Sequence, residues 1–366
     1  MTSAPPSWEP PFCPNPECPY HRGDTALWRH VKIGSYSRKT PPYTVQRRQC
    51  VTCRRTFGTQ TFSATYWLHR AELLVPVFHR LVGCSGFRQI ATEFKASPET
   101  IARLAGRLGR HCLLFHELHR PRGKILEPLA ADSFESFEFS QFFPTSFHVA
   151  AGRRSRFFYG FTDTELRRKG RMTRKQRKKR EELEASLGRP APGAVEQDFG
   201  HLIEVVVPTP QALQIHTDEH RAYPRALKQL KHLKIVHETI SSRAARTTDN
   251  PLFEINLLDL LIRHGSANHK RETIAYSKRR GCAAERLAIF LVWRNWLRPA
   301  SIQKGGKTPA MLLGLIDHRV EVEELLDRRY FPSLIALPKR WSEYYAKAVV
   351  TRAIPNGRSH QLKYAA

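Results

Sequence analysis

Four of the seven cysteines in this 366-residue chain fall within its first 53 residues, as Cys13 with Cys18 and Cys50 with Cys53. Two close pairs separated by a basic, turn-rich stretch can place four thiolates around one Zn²⁺, which binds such ligands as a tetrahedron. Closing that ring ties both ends of the segment to one point, so residues 13–60 are expected to fold as a zinc ribbon. Four protein ligands leave no open coordination position, which makes the metal structural rather than catalytic. The gap inside the first pair is longer than the commonest knuckle, and His21 is an alternative ligand to Cys18. Cys84, Cys112 and Cys282 are scattered and read as small buried residues. An odd cysteine count without a secretory signal argues against a disulfide framework.

Sixty Lys and Arg face thirty-three Asp and Glu, for a net charge of +27 and a pI near 10.3. That excess calls for a polyanionic partner, by default nucleic acid. A membrane surface is the alternative, but the sequence has no apolar run of about 18 residues, no signal peptide and no amphipathic anchor. A cytoplasmic location is therefore expected. The length suggests two or three domains. Residues 1–12 are Pro-rich and are expected to be disordered.

A helical block is expected over 65–118. Phe87 to Phe94 has Ile90, Ala91 and Phe94 on one face, and a short turn follows. Ser97 then caps a helix that begins with Pro98 and carries Arg103, Arg107 and Arg110. Two helices across a tight turn fit a helix-turn-helix, although an ordinary helical hairpin has the same pattern. Residues 120–123 read as a linker.

From about 125 the pattern changes to short apolar strands, with aromatic stretches at 136–143 and 146–161 that suit antiparallel pairing. A charged insertion, 165–192, interrupts them. Between Arg167 and Arg180, ten of fourteen residues are Lys or Arg. Arg174, Lys175, Arg177, Lys178, Lys179 and Arg180 would gain from counterion release on DNA; a merely solvated helix is the plainer reading. In the ribbon, Arg47, Arg48, Arg54 and Arg55 flank the second cysteine pair and are further candidates for DNA contact. The tail, 301–366, is mixed and basic.

Three acid-bearing segments stand in this second half. Asp132 lies on an early strand, and Asp218 follows 86 residues later at the end of another strand. A polar stripe of Asn256, Asp259 and Arg263 marks an otherwise apolar helix starting near Pro251. Acids in this order and spacing suit a ribonuclease-H-like α/β core of mixed sheet and helices over 125–300, where carboxylates gather divalent metal ions for phosphoryl transfer. Glu135, His216 and His220 lie close to these acids and read as local structure.

The chain resembles a bacterial insertion-sequence transposase of the DDE class, of the kind with an N-terminal zinc ribbon. The resemblance rests on Asp218 followed by Ala222 and Tyr223, on the stretch from Arg271 to Lys278, and on the stretch from Trp293 to Pro299. It rests also on the cysteine pairs with Gln46, Arg47 and Arg48, and it spans most of 13–315. It implies Mg²⁺ or Mn²⁺ in the core beside structural Zn²⁺, and catalytic roles for Asp132 and Asp218. Double-stranded DNA, as terminal repeats and target, would be the substrate, bound by a homodimer or larger assembly at the bacterial nucleoid. Such families usually place Glu seven residues before a Lys or Arg. Here Arg263 follows Asn256 by seven, so asparagine fills that position and Asp259 could restore the charge. Glu254, Glu272 and Glu285 are the alternatives. A non-catalytic DNA-binding regulator and a nuclease on the same fold are the competing functions.

Overall fold

The computed structural model describes residues 8–301 and 306–355. Residues 1–7, most of the segment expected to be disordered, lie outside the described residues. The rest of that segment is packed: Trp8 lies against Phe57 and Phe62, and Phe12 against Phe62 and Phe331.

The first unit is a three-stranded antiparallel sheet, β1 (His30–Ser37), β2 (Thr44–Cys50) and β3 (Thr56–Gly58), in that order. The cysteines and Phe57 form a small core of their own, backed by Trp8, Tyr20, Trp28 and Phe62. A unit with so few apolar residues needs an additional tie to stay folded. Part of that tie comes from the far end of the chain. Arg329 donates its backbone N–H to the Phe62 carbonyl at 2.7 Å, and His21 Nε2 meets Ser333 Oγ at 2.7 Å.

Three helices follow, α1 (Leu74–Val82), α2 (Phe87–Glu93) and α3 (Pro98–His119). Ser97 Oγ accepts the Thr100 N–H at 3.1 Å and Pro98 opens the first turn, as the sequence suggested. From Leu104 to His116, however, every residue of α3 is buried. The apolar core that includes Leu73 and Leu104 continues without a break through the sheet residues to Val349. The helices therefore share the main core, and α3 is a central strut rather than an exposed rod.

The main sheet has the order β6 (Phe158–Glu165), β5 (Pro144–Gly152), β4 (Leu129–Phe137), β7 (Ala212–Thr217), β8 (Lys234–Thr239). β4, β5 and β6 are antiparallel neighbours, whereas β7 runs parallel to β4 and β8 parallel to β7. The aromatic stretch at 136–143 is mostly the β4–β5 turn instead of a strand. Glu138 and Phe143 close it by a backbone hydrogen bond, and Phe139 takes a positive φ of 56°.

Between β6 and β7 come α4 (Arg174–Leu187) and α5 (Ala194–Val206), and between β7 and β8 comes α6 (Ala222–Gln229). α5 packs on β5, β6 and α6, while α7 (Phe253–Gly265) packs on β4 and β5. α8 (Arg280–Val292) is buried at every residue from Ala283 onward, as a helix inside a core should be. It crosses α3 closely: a Cβ added at Gly109 would lie 2.6 Å from the Glu285 carbonyl oxygen. Beyond α8, Asn295 accepts the Phe158 N–H and donates to the Phe158 carbonyl, each at 2.8 Å, and so anchors the start of β6.

The expected basic tail is in fact part of the core from 306 to 355; residues 302–305 and 356–366 lie outside the described residues. Short helices α9 (Pro309–Leu312), α10 (Val322–Leu325) and α11 (Lys339–Tyr345) belong to this segment. On the β6 side, Trp341 donates Nε1–H to the Phe161 carbonyl at 2.9 Å, and Arg340 and Tyr344 converge on buried Asp163. The mixed composition concealed Trp341, Tyr344 and Tyr345, all fully or almost fully buried.

Candidate metal centre and active site

Cys13 and Cys18 sit on the loop before β1, Cys50 ends β2, and Cys53 lies in the turn to β3. The Cys13 and Cys53 sulfurs are 3.6 Å apart, those of Cys18 and Cys50 3.9 Å, and all four lie within 4.8 Å of one another. A zinc–sulfur bond of about 2.3 Å gives a tetrahedral edge of about 3.8 Å, so the four sulfurs fit Zn²⁺ closely. The thiols are not joined as disulfides. Burial pushes the Cys13 thiol well up, whereas Cys50 is drawn down to about 7: burial raises it, but the backbone around Thr52 and Cys53 and the Trp28 indole outweigh that. His21 is not a ligand in this arrangement. Its Nδ1 lies 2.7 Å from the Cys13 carbonyl oxygen and its Nε2 faces Ser333, so it braces the ribbon instead.

Asp132 and Asp218 lie level at the centre of the main sheet. β4 and β7 pair at Leu129 with Ile215 and Ala130 with His216. The same offset of 86 residues brings Asp132 level with Asp218, just past the end of β7. Asp132 shares a face of β4 with Phe134, because side chains alternate along a strand. Phe134 stacks on Phe147 at 5.5 Å, and the Arg263 guanidinium lies over its ring at 5.5 Å. Arg263 in turn holds Asp259 by bonds of 3.0 and 3.1 Å from Nε. The stripe on α7 thus covers the face that bears Asp132.

The electrostatics link the three distant segments. The Asp132 carboxyl is pushed up to about 7, first by burial and then by the negative charges of Asp218 and Asp259. Asp132 Oδ1 accepts the Ser133 N–H at 2.6 Å, and Asp218 Oδ1 accepts the His220 N–H at 3.0 Å. Tyr223 enters from α6, with its hydroxyl 3.1 Å from Ser133 Oγ, and its phenol is pushed up by burial and by Asp132. Its only trace in the sequence is its place five residues after Asp218. Among the described residues the cysteines are the group whose donor atoms close to within 4.8 Å; the three aspartates stand wider.

Asn256 is half-buried on the same α7 stripe, one turn before Asp259. The alternative acids lie elsewhere. Glu254 pairs with Arg156 at 2.7 Å. Glu285 is buried between α3 and α8, where Arg110 meets it at 3.3 Å. Glu272 is exposed on the loop after α7. Glu135 is exposed too, and buried His216 meets Glu238 at 3.0 Å.

The cations divide into two groups. Arg47, Arg54, Arg55, Arg103, Arg174, Lys175, Arg177, Lys178 and Lys179 are partly or fully exposed. Arg48 and Arg107 are not surface contacts, contrary to expectation. Arg48 is 3% exposed and donates to the Trp8 carbonyl and Glu9, while Arg107 is 7% exposed and donates to the carbonyls of Ala64 and Tyr66. Arg180 is half-buried and donates to the Arg168 carbonyl at 3.3 Å. α4 has no buried residue, which suits a solvated cationic helix.

No protein-family model and no curated protein matches the chain. Among solved structures, it is similar to a chain of the simian T-cell lymphotropic virus intasome, determined by cryo-electron microscopy in complex with the PP2A regulatory subunit B56 gamma. The identity is 16%, over 67% of this chain and 74% of that one, with a TM-score of 0.26. A likeness that slight carries no argument about fold or function. No helix among the described residues is long and apolar enough to cross a membrane.

Proposed function

We propose that this chain is a DNA transposase that binds element ends and cuts and rejoins DNA strands at the Asp132, Asp218 and Asp259 site. The observation that carries the reading is the approach of Asp218 and Asp259 to Asp132, whose carboxyl is pushed up to about 7 by burial first and then by their two negative charges. Buried like charges are costly unless a cation neutralises them. The sheet order, three antiparallel strands followed by two parallel ones, supports the ribonuclease-H-like reading, with the acids on β4, beyond β7 and on α7. Asp132 and Asp218 would hold Mg²⁺ or Mn²⁺, with Asp259 and the Asn256 carbonyl completing the set. The bound ions would activate the attacking oxygen and stabilise the leaving one. Asp259 is held by Arg263 here, so it can join a metal only as that pair loosens.

Phosphate binding would come from the exposed cations of α4 and the ribbon. α4 belongs to the insertion that leaves β6 at Glu165, which is level with Ser136 on the strand of Asp132. It therefore starts from the same end of the sheet as the acids. A homodimer or larger assembly would pair two DNA ends.

A second reading, a DNA-binding regulator without catalysis, is favoured by one feature: the third acid is tied to Arg263 and its expected place is taken by Asn256. Nicking of supercoiled plasmid with Mg²⁺ or Mn²⁺ separates the two. Cleavage should fall at least about a hundredfold in Asp132→Asn and in Asp218→Asn. Cleavage that survives both substitutions refutes the catalytic reading. DNA binding without any cleavage by the unaltered chain favours the regulator.

A further inference from the structure

The loop between α7 and α8 carries a side chain that strand cleavage does not use. Ile274 is 100% exposed. A single exposed apolar residue is ordinary, but this one stands on an anchored turn. Thr273 Oγ1 accepts the Ala275 N–H at 3.0 Å, just behind it. Ala275 lies beside the start of α2, its Cβ 3.6 Å from where a side chain at Gly86 would begin. On the other side, Tyr276 packs its ring on Phe137 at 4.6 Å and donates its hydroxyl to the Phe139 carbonyl at 3.0 Å. The isoleucine is itself stiff, being branched at Cβ.

Its surroundings are cationic. Lys270, Arg271 and Lys278 lie within four residues of it along the chain and are exposed, with Glu272 as the opposing charge. Lys278 is turned toward the Tyr276 hydroxyl at 2.6 Å, which leaves exposed Lys270 and Arg271 to meet phosphates. Phe137 ends the strand that holds Asp132, five residues away, or about 17 Å of extended chain. That span is shorter than one turn of duplex DNA, about 34 Å. A duplex that lies on the acids and runs toward the Phe137 end of β4 would also pass the loop.

We infer that Ile274 is a wedge that enters between base pairs of duplex DNA beside the cleavage site, while Lys270 and Arg271 hold the adjoining phosphates. Apolar wedges of this size unstack a base step and bend the duplex. The inference rests on the DNA-binding reading above. The wedge would open the duplex next to the scissile strand and would favour DNA that is already locally unstacked.

The test compares binding of a fluorescent duplex with binding of the same duplex carrying one mismatch. A mismatch lowers the cost of unstacking, so the unaltered chain should prefer it by about tenfold. Ile274→Ser should reduce that preference below about twofold while leaving the salt dependence unchanged, and Ile274→Leu should retain it. Lys270→Ala with Arg271→Ala should weaken both duplexes equally. Because Ile274 is wholly exposed, Ile274→Ser leaves the folded core intact, which an unchanged melting temperature would verify. A preference that persists in Ile274→Ser, or none in the unaltered chain, overturns the wedge alone. Failure to bind either duplex overturns the DNA reading with it.

Discussion

The cysteine centre and the acidic site both gather groups from distant points of the chain, yet only the first is closed. Thiols are neutral until a metal or base takes their protons, so four sulfurs can pack within 4.8 Å among Trp8, Trp28 and Phe57. Carboxylates are ordinarily charged at neutral pH. Asp132, Asp218 and Asp259 share one field but stand wider, and Arg263 neutralises one of them. Four neutral thiols can be built close together into a small core, whereas like-charged carboxylates stand further apart.

The largest effect should therefore follow removal of the thiolate metal. Structural zinc contributes on the order of 10 kcal/mol or more to folding such units. Chelation, or Cys18→Ser, should abolish amide-exchange protection in β1–β3 while leaving β4–β6 protected. Bound zinc near one ion per chain, measured by atomic absorption, is the companion result. A ribbon that keeps its protection without metal would erase the difference between the two sites.

At the acidic site the predicted sign is opposite, because there removal of a ligand stabilises the metal-free protein. The Asp132 carboxyl titrates near 4 when unfolded and at about 7 when folded. The folded state therefore binds the proton more tightly. Its relative advantage is fully present below pH 4 and is lost as pH rises to 7. The penalty of ionised Asp132 has a ceiling of about 4 kcal/mol. Asp132→Asn removes it, so the variant should melt well above the unaltered chain at pH 8, with the gap cut to roughly a quarter near pH 4.5, both in EDTA. Excess Mg²⁺ should narrow the gap at pH 8. Equal gaps at both pH values would mean that folding does not push the Asp132 carboxyl upward.

Two arginines on α3 sharpen the distinction between structural and functional charge. Arg107 satisfies the carbonyls of Ala64 and Tyr66 inside the core, whereas Arg103 faces solvent. Arg107→Ala leaves buried acceptors unpaired and should cost about 2–4 kcal/mol in urea unfolding; Arg103→Ala should cost less than about 0.5. The sequence pattern could not tell them apart, since both lie on a helix that looks amphipathic and basic.

That pair illustrates what could and could not be read beforehand. The cysteine spacing and the Ser97 cap are local signals that each map onto a chemical requirement, and the 86-residue offset of the two aspartates reappears as the register of β4 with β7. Partners chosen across the fold left no such trace. Glu254 is drawn to Arg156, and Glu285 to Arg110 where Gly106 and Gly109 let α8 approach. The tail looked polar because its buried aromatic residues, Trp341 and Tyr344, are spaced among charges that pair internally, such as Arg340 with Asp163. Gly106 and Gly109, three apart on α3, were the one available hint that the helix is crossed closely and hence buried.

The smallest effect on stability, and a large one on binding, is expected from α4. Replacing Arg174, Lys175, Arg177, Lys178 and Lys179 with Ala disturbs no core packing, because the helix has no buried residue. Stability should change by less than about 0.5 kcal/mol. Each phosphate left without its cation should lower the steepness of log K against log salt by about 0.9. Five such phosphates would flatten the slope by about 4.5, read from anisotropy titrations between about 50 and 200 mM salt. An unchanged slope would make α4 a solvated helix and leave the ribbon and the α7–α8 loop as the sources of phosphate binding. The Thr173 cap, which accepts the Gln176 N–H at 3.2 Å, lies outside the substituted set, so the helix itself should persist. Its charge can thus be tested apart from its fold, which neither the cysteine centre nor the acidic site permits.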